Sequence, residues 1–159
     1  MQIRHTVKPP VPQLELLCHA TISVAAPQLF GPTLLGERRI VPILGGRFEG
    51  RLTGTVLTGG ADWQIVASDG TAILDARYAI RTPEDALIYV RNAGVRHGPP
   101  EVLARIARGE VVDPSEYYFR STPRFETGDR RYAWLNKIVA ICTGVRTAEA
   151  VLLDFYEVL

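Results

Sequence analysis

Carboxylate and arginine side chains alternate along several short, strand-like stretches of the sequence. Asp75, Arg77 and Arg81 occupy alternate positions of one stretch, and Glu49 and Asp62 lie in two others. A carboxylate can accept and return a proton, and an arginine can hold an anionic group through two parallel hydrogen bonds. The pattern therefore indicates either proton-transfer chemistry on a small anionic molecule or a solvated strand face held by ion pairs.

The candidate site residues belong to the polar faces of these stretches. The candidates for proton transfer are Asp62, Asp75 and Glu49, and the candidates for substrate binding are Arg38, Arg77, Arg120, Tyr118, Trp134 and Asn136. Successive side chains of a strand point to opposite sides, so these polar faces converge if they line the interior of a barrel. In such an enclosed site, burial and a neighbouring arginine would shift the pKa of a carboxyl towards the range in which it can act as a base.

The same alternation is satisfied if the charged faces point to solvent. In that interpretation the Asp and Arg side chains form weak cross-strand ion pairs, and Asp62 caps the turn beside Gly59-Gly60. The two tryptophans would then pack in the core, and Arg38 would form an ion pair that holds an edge strand.

Several common kinds of site have no counterpart in the sequence. The glycine pairs precede strands rather than a helix, so they do not form a nucleotide-binding loop. The three histidines are scattered, and Cys18 and Cys142 lie in apolar stretches as expected of buried free thiols. We therefore predict no cofactor and no metal.

Composition points to one cytoplasmic, soluble domain. The chain has 159 residues, of which 47% are hydrophobic and 22% charged, with a formal net charge of +1. This balance gives no reason to expect nucleic acid or a membrane surface as a partner. The polar strand faces lead us to expect a small-molecule ligand as a partner.

Short strand-like stretches separated by turn signals dominate the sequence. Strands are predicted over 14–24, 34–44, 47–58, 61–67, 71–81, 86–95, 116–127, 133–143 and 148–158. Pro42 suggests that its strand lies at an edge, since proline cannot donate to a sheet. One short helix is predicted over 99–108, ended by Gly109. The fold expected for residues 13–159 is all-β, a single antiparallel β-barrel of about 8–10 strands, after a disordered or extended leader over 1–12.

A set of motifs resembles one known family. They are Gly36-x-Arg38, Gly45-Gly46-x-Phe48-Glu49-Gly50, Gly59-Gly60-Ala61-Asp62-Trp63, Asp75-Ala76-Arg77, Tyr118-x-Arg120, Pro123-x-Phe125-Glu126 and Tyr132-x-Trp134-Leu135-Asn136. The resemblance is to the domain of unknown function 3237 family and extends from about residue 14 to the C-terminus. It implies a compact antiparallel β-barrel, lipocalin-like in outline and usually self-associating, and it implies no particular activity. From the resemblance we expect further copies of the chain as partners, in a dimer or larger homo-oligomer.

The residue set leads to two main hypotheses of different classes. The first is a cofactor-independent lyase, isomerase or dehydratase that acts on a small aromatic or unsaturated carboxylate or hydroxy-carbonyl compound in the barrel lumen. The second is a non-catalytic barrel that binds such a molecule. A structural oligomer, whose lumen is filled by its own side chains, is a third and simpler possibility.

Overall fold

The computed structural model describes residues 7–159, which form ten strands, one α-helix and two short 3₁₀ helices. The strands are β1 (Leu14–Val24), β2 (Gln28–Thr33), β3 (Gly36–Gly50), β4 (Gly54–Val56), β5 (Ala61–Val66), β6 (Ala72–Arg81), β7 (Leu87–His97), β8 (Tyr118–Glu126), β9 (Val139–Arg146) and β10 (Ala150–Val158). Helix α1 (Pro100–Ala107) lies between β7 and β8, and the 3₁₀ helices span Pro114–Glu116 and Arg130–Lys137.

Eight of the strands close into an antiparallel barrel. The hydrogen-bonded circuit runs β1-β10-β9-β8-β7-β6-β5-β3 and returns from β3 to β1, while β2 and β4 are extra strands paired along the long β3. Closure gives each of the eight strands a partner on both sides, which removes the exposed edges that an open sheet would carry. The predicted all-β, single antiparallel barrel is confirmed.

Three local predictions are wrong. The two strands predicted over 34–44 and 47–58 are divided elsewhere, because β3 continues through Gly45-Gly46 to Gly50 and only Gly54–Val56 forms the next strand. The segment that holds Pro42 is not an edge, because β3 pairs with β5 on one side and with β2 and then β1 on the other. Pro42 lies where β3 passes from β2 to β1, and its carbonyl accepts the amide of Ala25 (2.9 Å). The strand predicted over 133–143 begins only at Val139, because residues 130–137 form a 3₁₀ helix whose Leu135 is buried.

Helix α1 begins and ends where the sequence predicts. Pro100 supplies a first position that needs no amide donor, Glu101 lies in the first turn and Arg105 in the last. Gly109 adopts a left-handed conformation (φ 77°), and its amide closes the last turn on the carbonyl of Ile106 (2.9 Å). The buried face of the helix, Val102 and Ile106, covers one end of the barrel.

The interior of the barrel is solid in one half and hollow in the other. On β7, Ile88 and Val90 are fully buried core residues, whereas Asn92 and Arg96 further along the same face line a cavity. The other strands divide in the same way, and the largest side chains of the solid half are Phe48, Phe155, Leu17, Leu52, Ile80 and Ile88. Burial of these apolar groups stabilises the barrel, while the hollow half carries the polar groups.

The predicted leader over 1–12 lies partly outside the described residues. Residues 7–13 precede β1 and are exposed. Within residues 7–159, no helix has both the length and the apolar character that crossing a membrane requires.

Candidate functional site

The hollow half of the barrel contains an inner chamber with a volume of about 50 Å³. A cavity needs roughly 10–15 Å³ on this scale to hold one water molecule, so the chamber admits a few waters or a small organic group. Most of its wall is aliphatic, formed by β1, β3, β6 and β10. Its polar and charged wall residues are Asp62, Gln64, Tyr78, Asn92, Arg96, Ser121 and Arg146.

Asp62 is held by two hydrogen bonds, one to each oxygen of its carboxylate. Gln64 donates from Nε2 to Oδ2 of Asp62 (2.7 Å), and the amide of Asp75 donates to Oδ1 (2.9 Å). The second bond arises from the register of β5 and β6, in which Asp62 pairs with Ala76 and the Asp75 amide lies next to that pair. The carboxylate therefore has a fixed position at the chamber wall.

A third side chain extends this chain of hydrogen bonds towards the mouth of the barrel. Arg39 donates from a terminal nitrogen to Oε1 of Gln64 (2.8 Å), so Gln64 links the guanidinium of Arg39 to the carboxylate of Asp62. Arg39 on β3 pairs directly with Gln64 on β5, and Asp62 lies two residues before Gln64 on the same strand. The arrangement connects the arginine to the acid through a single amide side chain.

Two further arginines reach the same region from β7 and β9. Arg96 and Arg146 both line the inner chamber, and Arg96 also lies over the ring of Phe119, 5.9 Å from its centroid. The backbone amide of Arg146 donates to the hydroxyl of Tyr117 (3.0 Å). The buried Nε atoms of Arg39 and Arg96 have no hydrogen-bond partner. Buried donors are nearly always paired in folded proteins, so these two identify a place where a further acceptor fits.

The electrostatics of the cluster favour an added negative charge. Burial, together with the charges of Arg39 and Arg146, lowers the pKa of Arg96 to about 10. Burial is also the main reason that the pKa values of Arg39 and Arg146 fall below their ordinary range, although the charge of Asp62 opposes both shifts. Each guanidinium is therefore less stable as a cation here than in water, and an anion would relieve that cost.

The acid in the cluster is shifted in the opposite direction. Burial raises the pKa of Asp62, while the hydrogen bonds from Gln64 and the Asp75 amide and the charge of Arg96 act against the rise. A carboxyl group with a raised pKa is a stronger base when ionised and holds its proton at higher pH. Asp62 is thus the described carboxyl group best placed to exchange protons with a molecule in the chamber.

An outer chamber continues from the inner one to the mouth of the barrel. Its volume is about 630 Å³, and Val41, Gln64, Arg96 and Arg146 line both chambers. Residues of α1, including Leu103 and Ile106, form part of its wall. This volume lies within the roughly 300–1,000 Å³ usual for small-molecule sites.

The charge of the two chambers suits an anion rather than a cation. Arg39, Arg96, Arg108 and Arg146 line the outer chamber, and no carboxylate is among its described lining residues. Arg108 pairs with Glu110 (2.6 Å), which leaves the other three as the positive cluster. Residues 7–159 contain no grouping of three or more His, Cys, Asp or Glu side chains placed to hold a metal ion.

Asp62 is the one sequence-predicted candidate that lines the inner chamber. The prediction that the charged faces converge in the lumen is wrong for Asp75, Arg77 and Arg120, because the apolar faces of β6 and β8 turn inward. Asp75 forms ion pairs on the outer surface with Arg77 (3.0 Å) and Arg91 (3.1 Å). Partial burial tends to raise the pKa of Asp75, yet the hydrogen bonds and charges of these two arginines lower it overall.

The remaining candidates are likewise not brought together with Asp62. Glu49 is exposed and pairs with Arg47 (2.5 Å), and Arg38 is on the face of β3 opposite to Arg39 and Val41. Tyr118 lies on the outside and stacks on His97, with ring centroids 5.0 Å apart.

Trp134 and Asn136 lie in the 3₁₀ helix over 130–137 rather than on a strand. Trp134 packs against the hydrophobic core beneath Arg51, whose guanidinium is 5.2 Å from the ring centroid. The Asn136 side chain accepts a hydrogen bond from the amide of Thr127 (2.8 Å) and donates one to its carbonyl (2.9 Å). It therefore fixes the loop that follows β8.

The sequence analysis missed the three arginines of the positive cluster, although the sequence carries a signal for each. Arg96 continues the inward stripe of Ile88, Val90 and Asn92 on β7, two residues at a time. Arg39 lies on the same face of β3 as Val41 and Ile43. Arg146 lies on the same face of β9 as Ala140, Cys142 and Gly144. A lone charge at the end of an apolar stripe is the pattern that identifies all three.

Comparisons with known proteins agree with the barrel and with the motifs. Residues 12–158 match a family described as Protein of unknown function (DUF3237). A UPF0311 protein of Bradyrhizobium diazoefficiens is 44% identical over 129 residues, which cover 81% of this chain and 85% of the relative. A crystal structure described as a beta-barrel like protein, from Acinetobacter baumannii, has 46% identity and a TM-score of 0.84, and the match covers 96% of this chain and 99% of that one.

A more distant structure shares the fold. It is described as an enzyme from Penicillium herquei and is 22% identical, with a TM-score of 0.72 and a match that covers 98% of this chain and 100% of that one. At that identity the likeness concerns the fold alone. The family match, the relatives and the barrel together show that the chain belongs to the DUF3237 family.

Proposed function

We propose that the protein is a cofactor-independent enzyme that performs proton transfer on a small aromatic or unsaturated carboxylate or hydroxy-carbonyl compound. The observation that carries this proposal is the convergence of Arg39, Arg96 and Arg146 beside Asp62 at the junction of the two chambers. Three cations and one acid in a confined, partly apolar space resemble the anion anchor and the acid–base group that such chemistry needs.

The arginines bind and polarise the ligand. A carboxylate or developing enolate oxygen placed among them accepts hydrogen bonds from the unpaired Nε atoms of Arg39 and Arg96. Charge-assisted bonds of this kind are stronger in a water-poor site than in solution, and they strengthen further as negative charge builds on the ligand oxygen. The cluster thereby stabilises an oxyanion formed when a neighbouring C–H bond loses its proton.

Asp62 moves the proton. In its ionised form the carboxylate removes a proton from the carbon next to the carbonyl, and the electron pair of that bond passes to the carbonyl oxygen. Each oxygen of Asp62 accepts one hydrogen bond within the protein and keeps a second lone pair for the ligand. Return of the proton to another carbon gives isomerisation. Expulsion of a hydroxyl group from the neighbouring carbon, which leaves as water after it takes up a proton, gives dehydration. If Asp62 instead removes the proton of a hydroxyl group on the carbon next to that one, the carbon–carbon bond breaks, a new carbonyl forms and the bonding electrons pass into the same enolate.

A non-catalytic binding barrel is the second candidate. It is favoured by the fact that both oxygens of Asp62 are already held by Gln64 and by the Asp75 amide, which is also the arrangement of a purely structural acid. The arginine cluster would serve either function. The two candidates differ in what the carboxylate does to a bound ligand.

An assay of proton exchange on a bound ligand distinguishes the enzyme from the non-catalytic binding barrel. We suggest phenylpyruvate, an aromatic 2-oxo acid, as the probe, with binding measured by calorimetry and exchange of its benzylic hydrogens in D₂O followed by NMR. The enzyme hypothesis expects Asp62→Asn to keep the affinity within about threefold and to slow the catalysed exchange at least about a hundredfold, in line with the usual contribution of a general base.

The matched control is Asp85→Asn. The Asp85 side chain is 75% exposed and the backbone there has φ 68°, a conformation that asparagine also adopts. This variant should catalyse exchange of the benzylic hydrogens at the parental rate. If the parent binds phenylpyruvate without accelerating exchange, the binding barrel is the better description.

A further inference from the structure

Three buried polar side chains of the inner chamber have no use in the chemistry above. Tyr78, Asn92 and Ser121 are 4%, 6% and 5% exposed, and all three line the chamber. The hydroxyl of Tyr78, the Oδ1 atom of Asn92 and the Oγ atom of Ser121 each lack a hydrogen-bond partner. An unpaired buried polar atom is costly, so three around one cavity call for an explanation.

The sheet register places the three side chains next to one another. Tyr78 pairs with Val90 and Ala76 with Asn92 on β6 and β7, so Tyr78 and Asn92 are diagonal neighbours. Gly94 pairs with Ser121 on β7 and β8, which makes Asn92 and Ser121 diagonal neighbours as well. Diagonal neighbours on one face lie within reach of a single bound group. We call Tyr78, Asn92 and Ser121 the polar floor.

The polar floor lies deeper in the barrel than the arginines. On β7, Asn92 and Arg96 share a face and are four residues apart, which corresponds to roughly 13 Å between their Cα atoms. Gly94 lies between them and adds no side chain to the cavity. A ligand that contacts both the arginines and the polar floor therefore has its two recognised groups at opposite ends.

The atoms of the polar floor require a partner that both donates and accepts. Oδ1 of Asn92 can only accept, whereas the hydroxyls of Tyr78 and Ser121 can donate. A ligand hydroxyl satisfies both requirements, because it donates to Asn92 while it accepts from Tyr78 or Ser121. A carboxylate fits less well here, since it has no proton for Asn92 and would be far from the cations.

We propose that the polar floor is a hydroxyl-recognition subsite, which selects small carboxylates that carry a hydroxyl group at the end opposite to the carboxylate. This inference rests on the proposed function for the position of the carboxylate, and it adds the substrate class. Specificity of this kind is strong because a ligand without the hydroxyl leaves the floor unpaired.

Two acids of the same shape test the subsite. The probes are 4-hydroxybenzoate and benzoate, with dissociation constants measured by calorimetry on the whole protein. A single well-made hydrogen bond predicts that the parent binds 4-hydroxybenzoate roughly five- to tenfold more tightly. Tyr78→Phe and Ser121→Ala each remove one oxygen, and each should reduce that ratio towards one with benzoate affinity unchanged within about twofold.

The matched control is Thr122→Val, which removes a hydroxyl from the adjacent, outward-facing position of β8. This variant should keep the parental ratio. Equal binding of the two acids by the parent would show that the floor holds only water and would overturn the subsite, as would an unchanged ratio in both floor variants.

Failure of the subsite and failure of the proposed function give different results. Binding without a hydroxyl preference overturns the subsite and leaves the arginine cluster and Asp62 in place. Absence of binding by either acid overturns the cluster as an anion anchor and the subsite with it. Absence of catalysed exchange in the parent overturns the proton-transfer function, and the ratio of the two dissociation constants still decides the subsite.

Discussion

Replacing Arg96 by methionine should make the ligand-free protein more stable. The guanidinium lies beside two other cations, its Nε atom is buried without a partner, and burial together with those charges lowers its pKa from the ordinary arginine value to about 10. One pKa unit corresponds to about 1.4 kcal/mol, so folding disfavours the charged form of Arg96 by about 3 kcal/mol. Methionine fills similar space without a charge, and it keeps an apolar contact with the Phe119 ring.

The expected gain in the free energy of unfolding is about 1–3 kcal/mol, because replacing buried charges by apolar groups of similar volume often stabilises a protein by such amounts. The measurement is urea unfolding of parent and variant at pH 7 in Tris–chloride, free of carboxylates, phosphate and sulfate. Addition of benzoate should then stabilise the parent more than the variant, since the variant lacks one of the three arginines proposed to hold the anion.

The pH dependence gives a second check on the same reasoning. The pKa of Arg96 is lower in the folded protein than in the unfolded chain, so the unfolded chain holds its proton to higher pH. The destabilising contribution is complete below about pH 10, and it declines as the pH rises from there towards the ordinary pKa of arginine. The stability advantage of Arg96→Met should therefore shrink between these pH values.

The control is Arg91→Gln, which removes an exposed arginine from the outer face of the same strand and should change stability by less than about 1 kcal/mol. A variant Arg96→Met that is less stable than the parent by more than about 1 kcal/mol in anion-free buffer would refute the argument. That result would mean that the guanidinium already has its counter-charge within the protein.

Two other predictions follow from the chamber wall. Burial raises the pKa of Asp62, so its contribution favours the folded state at low pH and is lost as the pH rises through the folded value. In urea unfolding, the free energy of unfolding of the parent should decline between pH 4 and 8, and Asp62→Asn should remove that decline. An identical decline in both proteins would contradict the raised pKa of Asp62. Gly94→Ala would place a methyl group 2.2 Å from the carbonyl oxygen of Arg120. Thermal unfolding should therefore show that the free energy of unfolding falls by about 1–3 kcal/mol. Unchanged melting would mean that β7 and β8 separate freely at this point.

The strand pattern predicted the fold well, because alternation and turn residues act locally. Asp69-Gly70 forms the turn between the strands predicted over 61–67 and 71–81, and the Asp69 carboxylate accepts the amide of Thr71 there (2.9 Å). The helix ends at Gly109 as expected. The 3₁₀ helix over 130–137 was missed because Trp134 and Leu135 supply apolar residues there, and burial of Leu135 in a helical turn requires tertiary contacts that the sequence does not display.

The site was predicted only in part, because alternation divides a strand into two faces without saying which one is inside. On β6 the division into Asp75, Arg77 and Ala79 against Leu74, Ala76 and Tyr78 is the one in the structure, but the apolar set faces inward. An eight-stranded barrel has an interior just wide enough for its own side chains, so rows of charges are better placed outside in water. Asp62 was found because β5 carries it on the inward face beside Gln64.

The imbalance of charge in the chambers connects ligand binding to the state of Asp62. Three guanidinium groups face one carboxylate, so the cluster keeps two uncompensated positive charges when Asp62 is ionised and three when it is protonated. An arriving carboxylate stabilises the arginines, and its negative charge at the same time makes ionised Asp62 less favourable. Binding of the anion therefore raises the affinity of Asp62 for a proton, and a base that becomes stronger only when the substrate is present is suited to removing a proton from that substrate.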